Sequence, residues 1–137
     1  MNFKINKLPH YNQLPIYLVR NHLHEYSKQK DFGVHVEMIG GWGNGYVGIP
    51  VWHPFYKIDY DDLYKHTSVH GGLTFSDYDD EEDLWIIGFD TCHSGDNMHN
   101  WSYDNVLKET IKLREQCLKP KEVQRILKLN KIEKIIK

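Results

Sequence analysis

Nine residues concentrate reactive side chains at one point of this chain. Gly88 to Asp96 reads GFDTCHSGD and follows the apolar run Leu84-Trp85-Ile86-Ile87. Within it Asp90, His93 and Asp96 recur at three-residue intervals. Imidazole and carboxylate together ligate divalent cations, and the same pair makes a general base whose carboxylate fixes the histidine tautomer. The end of a buried strand is a costly place for a carboxylate that has no partner. His70 opens the sequence HGG, where Gly71 and Gly72 leave room beside its ring and allow positive φ. We therefore take His70, Asp90 and His93 as candidate catalytic groups, and His70, Asp90, His93 and Asp96 as candidate ligands of a divalent metal. The competing reading is a polar turn, in which Asp and Ser side chains accept backbone N–H bonds and Gly95 permits the bend. Cys92 is either a nucleophile beside His93 or a small hydrophobe packed inward.

A second candidate region is GIPVWHPFY, which sets His53 beside Trp52, Phe55 and Tyr56. Aromatic rings with a histidine can stack a base or nucleoside, so His53, Trp52 and Phe55, with Gly71 and Gly72, are candidate ligand-binding residues. The alternative is a lid-like loop that packs its aromatics on the core. Trp42, Tyr46, Trp85 and Trp101 carry the same ambiguity. His22 and His24 fall on an expected helix and face solvent in this reading, while His10, His66 and His99 have no evident partner. No HExxH, P-loop, GxSxG or zinc-ribbon spacing occurs.

The elements that must position these groups can be read from periodicity. Ile16, Val19, Leu23 and Tyr26 recur at helical spacing behind Pro15, predicting a helix over 15–30 that DFG would end. VHVEMI alternates as a strand, GGWGNG reads as a loop or hairpin turn, and YVGIPVW is a strand interrupted at Pro50. An irregular stretch follows, with one helical turn at Tyr60–Tyr64. SVHGGLTFS and DLWIIGFD are expected to pair as an antiparallel hairpin across the acidic loop DYDDEED, which would bring His70 and the Asp90 segment to one end of the sheet. From Tyr103 to Leu118, Val106, Thr110, Leu113 and Cys117 share a helical stripe, with Ser102 as N-cap. Pro120 separates this helix from a second one. The fold class is α+β: an antiparallel sheet with helices packed on one face, ending in C-terminal helices. The domain reading is a single α+β domain over 1–119 and a basic helical extension over 120–137.

Charge is polarised along the chain. Lys108 to Lys137 carries 10 Lys/Arg against 4 Asp/Glu, a net +6, so the total of −2 leaves the preceding residues at −8. The acidic front argues against nucleic acid as the partner, because backbone binding needs clustered Lys/Arg. The basic tail is read first as the solvated face of a terminal helix. Two cysteines far apart, with no CxxC, fit a reducing cytoplasm. The start of the chain lacks the apolar core of a signal peptide, and no stretch has the length to span a bilayer, so no membrane partner is expected.

GYVGIP with its following HP, VHGGLTF, LWIIGFDTCHSGD and YDNVLKETIKLREQC together resemble a family of small uncharacterised proteins found in phages and bacterial genomes. Its members read like GYVGVPxGHP, VHGGLT(F/Y), and a WWFGFDCAHAGD-type segment before a helix opening with Tyr and Val. The likeness runs over about 45–116 in the same order and spacing. Here Cys92 is displaced by one position from the CAH pattern, Trp52 stands where Gly usually precedes HP, and the basic tail after Pro120 extends past the end of the pattern. The resemblance implies a site built from His53, His70, Asp90, His93 and Asp96, and a phage context in the host cytoplasm. It implies no reaction. The expectation is a small hydrolase acting on a phosphorylated or nucleotide-like small molecule, with water or hydroxide as nucleophile. The alternative is a non-catalytic counter-defence protein that inhibits a host defence protein or sequesters a nucleotide signal. A nucleic-acid module using the basic tail is the weakest of the three.

Overall fold

The computed structural model describes residues 7–8, 14–21 and 40–136, with side chains over 14–21 and 40–129. Five strands, β1 (Lys7–Leu8), β2 (Ile16–Arg20), β3 (Gly43–Ile49), β4 (Phe75–Asp79) and β5 (Leu84–Phe89), form one sheet in the order β1-β2-β3-β5-β4. Every pairing is antiparallel. Two helices follow, α1 (Tyr103–Cys117) and α2 (Lys121–Ile136), so the fold is α+β as expected.

Side chains alternate across this sheet. Ile16 and Leu18, Val47 and Ile49, and Ile87 and Phe89 belong to the cluster that also holds Val106, Leu113 and Cys117 of α1. Tyr17, Tyr46 and Ile86 build a separate buried cluster from the intervening positions. Each large apolar side chain so buried contributes about 1.5–3 kcal/mol. Burial of both faces also explains one departure from expectation: Ile16–Arg20 is a strand, not the start of a helix. A strand covered on both faces is a continuous apolar run, and Ile16 and Val19 match a helical spacing by coincidence. The rest of that expected helix, with His22 and His24, lies outside the described residues, as do His10 and the strand expected over 34–39.

Two further boundaries shift. Asn44 and Gly45 lie inside β3 rather than in a hairpin turn. Gly45 is required there because a Cβ would strike Thr110 Oγ1 of α1 and the Phe89 ring, so the helix sits directly on this position. The strand expected over 68–76 instead begins at Phe75 and runs through Asp79, within the supposed acidic loop. The hairpin itself stands, joining Asp79 to Leu84 in register across Asp80–Asp83, with Asp83 at φ 51. Tyr60–Asp62 forms the expected single turn, of 3-10 type.

Helix α1 begins where predicted. Ser102 Oγ accepts the Asn105 N–H at 3.4 Å, and Val106, Thr110, Leu113 and Cys117 are all fully buried. Past Pro120, α2 sends Val123 into the same core. Among the described residues, no helix is long and apolar enough to cross a membrane.

Candidate functional site

The segment after β5 is tied to the segment before β3. Thr91, fully buried, donates its hydroxyl to the Gly43 carbonyl at 2.7 Å, and Gly41 N–H donates to the Thr91 carbonyl at 2.6 Å. Gly40 N–H reaches the Asp96 carbonyl at 3.1 Å. Asp90 Oδ1 accepts the Cys92 N–H at 3.1 Å, closing an Asx turn. The polar-turn reading of this stretch is therefore realised in part, by the same residues that build the site.

His70 arrives from the loop before β4. Val69 to Gly72 is a turn closed by a Gly72 N–H to Val69 carbonyl bond of 2.9 Å. Gly71 and Gly72 hold φ of 68° and 79°, a left-handed pair that only glycine adopts without cost. At Gly71 a second reason applies: a Cβ would collide with the His93 ring, which lies against this backbone. Gly72 and Gly95 face open space at the Cβ position, so their glycines answer to φ alone.

Asp96 is the hub. Its carboxylate, 4% exposed, accepts from His70 Nε2–H at 2.8 and 2.9 Å, from the His93 amide at 2.8 Å, and from His93 Nδ1–H at 3.3 Å. Burial works to raise its pKa. The bonds from His70 and from the His93 amide and ring outweigh burial and hold the carboxyl below its ordinary value of 3.8. The group is ionised, and an ionised carboxylate only accepts. Each imidazole must then present an N–H to it, from His70 Nε2 and His93 Nδ1. The two rings meet edge to face at 5.1 Å, and the Trp101 ring stacks on His70 at 4.2 Å with a tilt of 31°. Both imidazoles keep an exposed edge, 25% for His70 and 34% for His93.

His70, His93 and Asp96 can offer three donor atoms within 4.8 Å of one another, a set able to hold a metal ion. Donors around one zinc-sized ion, at metal distances of about 2.0–2.2 Å, sit roughly 3 Å apart. The two imidazole-to-carboxylate separations, 2.8 and 3.3 Å, are of that order, and all three donors lie within 4.8 Å of one another. Asp90 is outside this set; its Oδ1 lies 3.5 Å from His93 Nδ1, at the margin. Asp59, Asp61 and Asp62 form a second carboxylate group among the described residues, exposed and without an imidazole.

The other predicted residues are placed elsewhere. His53 is 2% exposed; its Nε2 meets the Cys117 carbonyl at 2.7 Å, and its Nδ1 accepts the Phe55 N–H at 3.0 Å. Both ring nitrogens are thus taken by backbone, and burial lowers the pKa further toward the neutral form. His53 closes the end of α1 and has no nitrogen left for a ligand. Phe55 is buried in the core and Trp52 packs against it, as the lid-like alternative anticipated. Cys92 accepts a bond from Asn21 Nδ2 at 2.8 Å, and burial pushes its thiol up, opposite to what a thiolate nucleophile needs. Asn21 shapes the site without a local sequence signal, because its partner lies 71 residues away, whereas Trp101, one of the ambiguous aromatics, is placed against His70. No family model, curated protein or solved structure matches the chain.

Proposed function

We propose that this is a small phage-type hydrolase in which His70, His93 and Asp96 hold a divalent transition ion and act on a small phosphorylated or nucleotide-like substrate. The observation that carries the reading is the convergence of two half-exposed imidazoles on one buried, ionised carboxylate. Two nitrogens and one oxygen suit ions of the zinc and manganese class better than magnesium or calcium, which favour all-oxygen sets. Such an ion, when bound, supplies Lewis acidity and a water of lowered pKa. The chain's own groups then divide the remaining work. His70, His93 and Asp96 would share the ion, Asp96 would still accept the His93 amide, and Asp90 lies at the rim beside His93. Trp101, half-buried beside His70, offers a ring edge to the organic part of the substrate.

The test is elemental analysis with native mass spectrometry on untagged protein purified without chelator, followed by a phosphoester panel. We expect one equivalent of a transition metal, lost in H70A and in D96N, and hydrolysis that fails in the same variants while their melting remains cooperative. A metal-free protein that instead retains a nucleotide-sized mass points to the non-catalytic counter-defence alternative. A bare protein, inactive on the panel with zinc or manganese added, moves the assignment to inhibition of a host defence protein.

A further inference from the structure

The loop that carries His70 has little to hold it in place by itself. One turn bond, Gly72 N–H to Val69, and two consecutive left-handed glycines make up its internal structure. Yet it supplies the one imidazole of the site that comes from outside 88–96, and that ring meets Asp96 at 2.8 Å. Helix α1 provides the missing rigidity. The Gln116 carboxamide pairs with Ser68 twice: Oε1 accepts the Ser68 N–H at 2.8 Å, and Nε2 donates to the Ser68 carbonyl at 2.9 Å. This is the reciprocal pattern of one ladder pair, made by a side chain. About two turns earlier on the same helix face, Glu109 Oε2 accepts the N–H of His70 itself at 2.7 Å. Its other oxygen lies 3.7 Å from Lys112 Nζ, and the side chain is only 16% exposed, so the acceptor is partly shielded from water. The helix is itself fixed at both ends, by Ser102 at its start and by His53 on the Cys117 carbonyl at its finish.

We infer that Gln116 and Glu109 are positioning residues for His70: from α1 they fix the backbone of the 68–72 loop so that the imidazole stays aimed at Asp96. Neither acts on a ligand; both act through His70. The inference rests on the reading of His70, His93 and Asp96 as the working groups of the site. Outer partners of ligating residues are worth on the order of tenfold or more in metal affinity when removed, and these two belong to that class.

The experiment compares wild type, Q116A, E109A and E109Q in two readouts. The first is the imidazole nitrogen and carbon-bound proton resonances of His70 and His93, without added metal. The stack of Trp101 on His70 makes the His70 protons sensitive to displacement through the indole ring current. The second is Zn²⁺ affinity, measured by competition with a chromophoric chelator. We expect Q116A and E109A to shift the His70 resonances, leave those of His93 nearly in place, and weaken Zn²⁺ binding by about tenfold. E109Q, whose amide oxygen still accepts the His70 N–H, should restore the resonances toward wild type. Unchanged His70 resonances in E109A and Q116A overturn the inference, and so does an E109Q as displaced as E109A. If wild type binds no Zn²⁺, the hydrolase reading falls while the resonances still decide the positioning. If Q116A does not fold, the E109A and E109Q pair decides alone.

Discussion

At the scale of single residues, Gly71 and Gly72 separate two demands that adjacent glycines often blur. Both have positive φ, but only Gly71 has a ring against it. G72A should therefore cost about 1 kcal/mol of backbone strain and leave Zn²⁺ affinity unchanged. G71A should carry the same strain, push His93 off its place, and weaken Zn²⁺ binding by more than tenfold. Calorimetry and chelator competition on the two variants check this; equal affinities would show that His93 does not depend on the missing Cβ. His53 gives a prediction in pH. Its folded pKa is lowered by burial, so the unfolded chain takes up the proton first. Its linkage is silent above the ordinary value of 6.5, and stability falls as pH drops below that value toward the folded one. Asp96 adds a second window: its contribution is present above 3.8 and is lost as pH falls through its lower folded value. H53A leaves the Cys117 carbonyl and Phe55 N–H without their partner, at a cost of about 3 kcal/mol near neutral pH. The same variant should flatten the fall of melting temperature below pH 6.5, with the step below 3.8 retained. Melting curves across pH measure both.

At the scale of elements, the contact between β3 and α1 is tight at one point. G45A places a methyl against Thr110 and Phe89 and should destabilise by roughly 2–3 kcal/mol through overpacking, whereas S102A removes one cap bond and should cost about 1 kcal/mol. Denaturant titration ranks the two, and a G45A as mild as S102A would mean that the helix can move away. Gly45 also marks where the sequence is readable and where it is not. Asn-Gly is a strong hairpin signal, but this glycine answers to a helix 65 residues downstream, which no local pattern records. Ile16–Arg20 misleads for a related reason, since burial on both faces erases the alternation that would separate strand from helix. Elements with one buried face, such as α1, are legible at the start and along the buried stripe, Val106–Thr110–Leu113–Cys117, with the end displaced by one residue, at Cys117 instead of Leu118. The site divides in the same way. The Asp90-His93-Asp96 spacing is local and visible, and the β4–β5 hairpin delivers His70 near it. Glu109 and Gln116 could not be read, because they act on backbone 39 and 48 residues away.

At the scale of the whole molecule, the charge imbalance between the acidic front and the basic end does not make α2 a free appendage. Val123 is fully buried in the common core, and Gln124 Nε2 donates to the Leu118 carbonyl across the Pro120 break. V123A should accordingly lower stability by roughly 2 kcal/mol in one cooperative transition. Thermal unfolding followed by circular dichroism tests it; an unchanged midpoint would show that α2 folds apart from the sheet. The two thiols offer a different consequence. Cys117 is sealed in the core, while Cys92 lies half-exposed next to His93 and is restrained by Asn21. With its thiol pushed up by burial, Cys92 holds little thiolate at neutral pH and reacts slowly with an alkylating reagent. The unmodified chain thus carries one natural tagging point at the rim of the site and none that competes with it. Its labelling rate, read with and without Zn²⁺, then reports from one position away from His93 on whether an added ion changes the setting of that rim.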